Sequence, residues 1–456
     1  MKATFRGGVH PAHGSKAQTQ GLATRSFVSD TVRIIMNMNI GAPSQPCVAK
    51  GDHVKIGQVI GEPVGFLGLP VHASVSGEVV SVEPIPYLSE QPAMCVTIHN
   101  DFADEWVELH PLGSVETVDP ALIIPAIKNA GICGLGGASF PTHVKLSIKP
   151  EQKCDCIIAN GAECETHLTC DHRLMLENPV RVVDGLRAAM RAINVKEGII
   201  AIEDNKPDAI EAMRKACQGR EGVRVQVLKT KYPQGGEKQL IEAVTGRQVP
   251  SGGLPIQAGV IVMNVATCAA VADAVIDGKP LVERIVTVTG AVRQPANLRL
   301  RIGTITEDII GECGGFSGDV GKVIFGGAMT GMCAPNTSIP IAKARQLGCT
   351  KSIVILTRPE EYRKGPNELM PLIRARYWRY PRLVEAMATR HLRYNATLDE
   401  LAKLEQAGSV FVIRPAKDLG LGRTEKNLEK LTSAYRAGYA QAQRLYPALK
   451  AFLAQN

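Results

Sequence analysis

Residues 134–141, Gly-Leu-Gly-Gly-Ala-Ser-Phe-Pro, set three glycines in four positions shortly before Lys145. Glycines at that density add no packing area. They let successive backbone N–H groups turn toward one point, which is how a chain grips a phosphate with no side chain in the way. Three other segments extend this donor set: residues 160–165 (Asn-Gly-Ala-Glu-Cys-Glu), 232–237 (Tyr-Pro-Gln-Gly-Gly-Glu) and 264–267 (Asn-Val-Ala-Thr). A flavin mononucleotide needs a phosphate cradle, polar groups along its ribityl chain and donors at the ring edge. The amides of Gly134, Gly136, Gly137 and Ala138, with Lys145, suit the phosphate, and Asn160, Asn264 and Thr267 suit ribityl chain and ring. Phe140 offers an aromatic face to an adenine, and Glu165 and Glu237 can accept from ribose hydroxyls. A nicotinamide dinucleotide would then stack on the flavin for hydride transfer. Glu163, Tyr232 and Gly235 complete the expected cofactor-binding set. Such a site needs no proton-transferring side chain, so no catalytic residue is assigned, and no metal ligand.

Each part has a plainer reading. The glycine run can be a structural turn. Glu163 and Glu165 can be carboxylates offsetting a helix N-terminus. Tyr232 before Pro233 can be ordinary packing, and His143 a surface or capping residue. Only the joint occurrence of the four segments, in this order within an alternating fold, favours the flavin reading.

Those segments must be held by more than one core, because 456 residues exceed what a single one supports. The composition, 45% apolar and 21% charged, is that of a globular protein. The net charge of +8 is concentrated at the end: residues 351–456 hold 19 Lys+Arg against 10 Asp+Glu and seven of the nine tyrosines. This basic, tyrosine-rich module suits an anionic membrane face or an acidic partner, or is simply a solvated helical face. No nucleic-acid partner is expected. The start of the sequence has no apolar signal-peptide core, and the most apolar stretch, 258–276, contains Asn264, Thr267 and Asp273, reading as strand then helix. Twelve cysteines without a Cys-x-x-Cys imply reduced thiols, and the spacing of Cys154, Cys156, Cys164 and Cys170 fits neither zinc nor a cubane cluster.

Residues 1–112 alternate short β-branched runs with Gly and Asp turns, resembling the flattened barrel-sandwich hybrid of lipoyl-type domains without its carrier lysine. Residues 113–258 alternate helix and strand patterns, which predicts a Rossmann-like parallel α/β domain with ligands at the carboxyl ends of its strands. Residues 259–355 return to β and resemble a soluble-ligand-binding β-grasp domain with its connection; residues 356–456 read as a mostly helical, basic module. The expected class is therefore multidomain α/β.

Residues 1 to about 355 resemble RnfC, the C subunit of the Rnf ion-translocating electron transport complex. The likeness rests on residues 5–11 (Phe-Arg-Gly-Gly-Val-His-Pro), 40–43 (Ile-Gly-Ala-Pro), 134–145, 160–165, 168–173 (Leu-Thr-Cys-Asp-His-Arg) and 232–237. The central part is also similar to the flavin subunit of respiratory complex I. The resemblance implies a cytoplasmic subunit, peripheral on the inner face of the cell membrane among other Rnf subunits, that takes a hydride from NADH onto FMN and sends single electrons onward. It implies FMN contacts for the glycine loop, Lys145, Asn160, Asn264 and Thr267, and NADH contacts for Phe140, Glu165 and Glu237. Thr166 stands where the family has Pro, and Gly236 where complex I relatives have Glu. The family also closes with two Cys-x-x-Cys-x-x-Cys-x-x-x-Cys-Pro runs for [4Fe–4S] clusters, whereas here no cysteine follows Cys349. The tail, with residues 355–364 and 410–415, resembles instead the domain behind patatin-like phospholipases; their Gly-x-Ser-x-Gly motif is absent, so no lipase activity is expected. A non-catalytic adaptor, or a fusion near residue 355, stands as the alternative.

Overall fold

The first strands alternate buried and exposed side chains, as in β2 below, where Val32 and Ile34 are buried and Arg33 between them is exposed. In the computed structural model the described residues are 3–333, except 12–13, 86, 88–91 and 319–321, and then 352–356, 358–366, 370, 381–420 and 427–454. The strands are β1 (Thr24–Phe27), β2 (Thr31–Ile35), β3 (Gln45–Pro46), β4 (His53–Val54), β5 (Val59–Glu62), β6 (Val71–His72), β7 (Gly77–Ile85) and β8 (Ala93–Asn100). An antiparallel sheet in the order β2-β8-β7-β4 and a smaller one, β3-β5-β6, enclose Val32, Ile34, Val54, Ile60, Val79 and Ile98. β7 starts at Gly77 because φ is +140° there and a Cβ would lie 1.9 Å from the His99 carbonyl oxygen.

The next layer comprises α1 (Pro120–Asn129), α2 (Thr142–Leu146), β9 (Cys156–Gly161), α3 (Cys170–Glu177), α4 (Pro179–Ala192), β10 (Glu197–Glu203), α5 (Pro207–Cys217), β11 (Val223–Leu228), α6 (Glu237–Thr245), β12 (Val260–Asn264) and α7 (Val265–Ile276). Four strands form a parallel sheet in the order β11-β10-β9-β12. β9 and β10 read as nearly unbroken apolar runs because both sheet faces are covered. α1, α4, α5 and α7 contribute to the core on one face, while Leu240 and Ile241 of α6 pack on the other. The chain steps outward from β9 to β10 and β11, then crosses back to add β12 on the far side of β9. β9 and β12 are thus neighbours whose carboxyl ends lie side by side, and the helices α4 and α7 that follow them pack against each other on one face of the sheet.

β13 (Glu283–Val288) and β14 (Ala296–Arg301) pair antiparallel and are followed by α8 (Thr306–Glu312), then by the hairpin of β15 (Ile324–Phe325) and β16 (Met332–Cys333). β1 joins β14 in parallel register, Thr24 opposite Asn297. Earlier still, Ala3 bridges to Leu228 and Val9 to Tyr232. The segment before β2 thus pairs with the α/β sheet and with β14. A four-residue strand such as β1 carries no sequence mark of its partner. All of this lies in one unit, Met1–Pro335.

In the second unit, Asn336–Asn456, β17 (Ser352–Ile355) pairs in parallel with β18 (Val410–Ile413), and helices span Pro381–Gln406 and Leu428–Ala454. Val354, Leu401, Leu404, Val410 and Val412 form its core. Among the described residues no helix is long and apolar enough to cross a membrane.

α4 and α7 approach so closely that a Cβ on Gly185 would sit 1.6 Å from the Cys268 carbonyl oxygen. Gly185→Ala must therefore push the helices apart, at an expected cost of about 3 kcal/mol. A lower urea midpoint with an unchanged slope is the expected result, and an unshifted midpoint would contradict this packing.

Candidate functional site

The register of β9 with β12 sets Asn160 directly beside Asn264, both at the carboxyl ends of their strands. Each amide also holds a loop. Asn160 accepts from the Ala162 amide (3.2 Å) and donates to the Gly235 carbonyl (2.9 Å), bringing the 232–237 segment to the carboxyl end of β9. Asn264 accepts from the Ala266 amide (2.8 Å), capping α7, and donates to Asp171 Oδ2 (2.7 Å). Each side-chain amide keeps a second N–H.

The glycine loop lies against Asn264: a Cβ on Gly136 would come within 3.1 Å of Asn264 Cβ. Its base is closed by Gly134 donating to the Phe140 carbonyl (2.8 Å), and its flank by Leu135 donating to the Thr267 hydroxyl (2.9 Å). Gly137 has φ +116° with open space where a Cβ would be. Gly136, Gly137 and Ala138 are exposed, and their amides have no hydrogen-bond partner among the described residues. The Thr142 hydroxyl at the start of α2 is buried without a partner. Lys145, carried by α2, donates to the Val262 carbonyl (2.9 Å) and to Glu237 Oε1 (3.0 Å). The lysine and the glutamate, assigned to different ligands from sequence, thus form one half-exposed ion pair.

The turn after β9 separates its two glutamates. Glu163, at φ +45°, accepts from the amides of Asp171 (2.7 Å) and His172 (3.4 Å), so its carboxylate caps α3. The plainer reading of that residue accounts for both oxygens. Glu165 points elsewhere, accepting from the Met329 amide (3.0 Å) and the Thr330 hydroxyl. Gly235 donates to Cys164 Sγ at 3.2 Å, and a Cβ there would stand 3.2 Å from that sulfur, so glycine permits the close approach. Tyr232 exchanges backbone hydrogen bonds with Val9, each 2.8 Å. Phe140 stays half-buried at the loop's end.

Sequence reasoning missed three contributors. Lys16 donates to the carbonyls of Glu163 and Glu165, both at 2.9 Å, and to that of Leu168, pinning the turn. Burial holds its pKa below the ordinary lysine value, against the pull of Glu163. Asp171, the partner of Asn264, has its carboxyl pushed up to about 7 by burial, and Glu163 pushes the same way. Thr330 is the third. Lys16 and Thr330 lie far from the four segments in sequence, and an aspartate two residues into a helix gives no sign of its burial.

Chemically, the site offers exposed amides, neutral carboxamides, one lysine and carboxylates. It contains no nucleophile–base pair. That donor set fits a phosphorylated, ribityl-bearing ring system, and the unpartnered loop amides and Thr142 hydroxyl are the observations that favour the fit.

Comparison with known protein families gives four matches. Residues 3–103 match the RnfC barrel sandwich hybrid domain, 127–273 the Nuo51 FMN-binding domain, 285–332 the SLBB domain, and 380–454 a domain of unknown function. Nothing in that last description supports the phospholipase-tail likeness. The chain is 48% identical to the C subunit of the Na+-translocating ferredoxin:NAD+ oxidoreductase complex of Acetobacterium woodii, over 78% of this chain and 80% of that one. It is 45% identical to the C subunit of the proton-translocating ferredoxin:NAD+ oxidoreductase complex of Clostridium ljungdahlii, over 78% of each. Identity is 38% to the C subunit of the ion-translocating oxidoreductase complex of Rhodobacter capsulatus, over 81% of this chain and 71% of that one.

A carboxyl raised from 3.8 to about 7 binds its proton more tightly in the fold than in the unfolded chain. Its effect on stability is most favourable below pH 4 and declines as pH rises toward 7. Asp171→Asn keeps an acceptor for Asn264 and removes that decline. The variant is expected to melt a few degrees above the parent at pH 8, with the gap closing toward pH 4; a gap independent of pH would refute the assignment.

Proposed function

The chain belongs to the RnfC family, the C subunits of ion-translocating oxidoreductase complexes, and from that premise we propose that its crevice binds FMN and NADH. One observation carries the reading. Two asparagines stand side by side at the carboxyl ends of adjacent parallel strands, and a glycine loop with unpartnered amides lies against one of them.

In this reading the amides of Gly136, Gly137 and Ala138 hold the phosphate, with Lys145 as the nearby positive charge. The spare N–H groups of Asn160 and Asn264 face the ribityl chain and ring, while Thr267 steadies the loop through Leu135. Phe140 offers its ring to the adenine, and Glu165 and Glu237 accept from ribose hydroxyls. Glu163 serves as the helix cap behind them, and Tyr232 and Gly235 wall the crevice. Bound there, FMN would accept a hydride from NADH and release electrons singly. The protein aligns the two rings and excludes side chains between them, which is what Gly136 and Gly235 secure.

The sequence contains no Cys-x-x-Cys, so no residue is assigned to an iron–sulfur cluster and electrons leave to an outside acceptor. Other members of an Rnf-type complex supply that acceptor, with the chain peripheral on the inner membrane face. The β13–β16 segment serves as a β-grasp module and the basic tail as a separate docking module. An adaptor that merely retained the fold would have no reason to keep the flavin, so FMN stoichiometry separates the two readings.

Gly136→Glu places a carboxylate where the phosphate would sit. It is expected to abolish FMN retention on reconstitution; unchanged FMN content would place the cradle elsewhere. Glu237→Gln is expected to raise the KM for NADH about tenfold with FMN content unchanged, measured by anaerobic bleaching of the flavin absorbance. Loss of flavin at an unaltered KM would reverse the role.

A further inference from the structure

Glu165 is held from outside its own domain. The turn between β15 and β16 closes with Gly331 donating to the Gly327 carbonyl at 2.7 Å, and it wraps the glutamate side chain. A Cβ on Gly327 would fall 2.1 Å from Glu165 Cδ and 2.5 Å from its Cγ, so glycine here lets the glutamate side chain lie against the turn. From this seat the Met329 amide donates to Oε2 at 3.0 Å and the Thr330 hydroxyl to Oε1. At its other end, the backbone of Glu165 is tied through its carbonyl to Lys16 at 2.9 Å.

A carboxylate offers about four acceptor sites. One donor on each oxygen fixes the plane and torsion of the group and leaves the second site of each oxygen unused. A side chain already fixed this way loses little rotamer freedom when it receives a ligand. We propose that Thr330, with the Met329 amide, is a positioning residue that orients Glu165 toward the ribose hydroxyls of NADH. The hairpin after β14 is thereby part of the dinucleotide site, although none of the four sequence segments includes it. This rests on the reading of Glu165 as a ribose acceptor.

The test uses the full chain and three variants: Thr330→Val, which keeps the shape and removes the donor, Thr330→Ser, which restores it, and Glu165→Gln. NADH affinity is measured by calorimetry, with FMN content and flavin bleaching measured alongside. Thr330→Val is expected to weaken NADH binding roughly tenfold while FMN content and the rate at saturating NADH stay at parent values, and Thr330→Ser to recover most of the loss. Gly327→Ala, which must push the Glu165 carboxylate from its seat, is expected to weaken binding likewise. Parent affinity in Thr330→Val with weakened binding in Glu165→Gln would overturn the positioning role alone. Tighter binding in Thr330→Val would overturn it too, by showing that the hairpin competes for the carboxylate. Parent affinity in Glu165→Gln would remove the ribose assignment and this proposal together.

Discussion

The parallel register between β9 and β12 is the constraint on which the site depends. It places Asn160 beside Asn264, and each of those carboxamides then fixes a neighbouring piece of chain. Asn160 draws in the 232–237 segment, and Asn264 caps α7 and meets Asp171. Thr267, one turn into α7, takes the Leu135 amide and so aligns the glycine loop with the same strand end. A slip of one residue between the strands would turn each asparagine to the opposite face of the sheet and part all four segments.

A second constraint comes from buried charge. The Lys16 ammonium loses its water, and three carbonyls of the 163–168 turn replace it. That exchange explains how a turn containing two positive-φ residues, Glu163 and His167, stays in one shape. It also explains why the two glutamates of the segment diverge. Glu163 is pulled inward to α3, and Glu165 is left facing the hairpin of β15 and β16. Burial, with Glu163 close by, holds the Asp171 carboxyl well above the usual carboxylate range.

Much of the fold was legible because its signals are local. Unbroken apolar runs at 156–159 and 198–202 mark doubly covered strands, and β9 and β10 lie there. The helical pattern of their apolar residues marks α4 and α5. The glycine loop was legible for the same reason, since what matters in it is the backbone. Partners were not legible. Nothing in Thr24–Phe27 says that it pairs with β14, and nothing in Lys16 or Thr330 points to a turn some 150 residues away. Glu163 and Glu165 look equivalent in sequence and differ only in what tertiary structure brings to each.

The early position of β1 has a consequence for synthesis. Asn297, the partner of Thr24, is made about 270 residues after it. At 5–20 residues per second the wait is roughly a quarter of a minute to a minute. Throughout that time the strand edge stands open, and Ala3 waits nearly as long for Leu228. The barrel can close soon after its own residues appear, whereas the bridges to the α/β sheet wait for Leu228 and Tyr232, and the pairing of β1 with β14 comes last. Nascent chains of this protein therefore have a long interval in which a chaperone, or another nascent copy, can reach that edge.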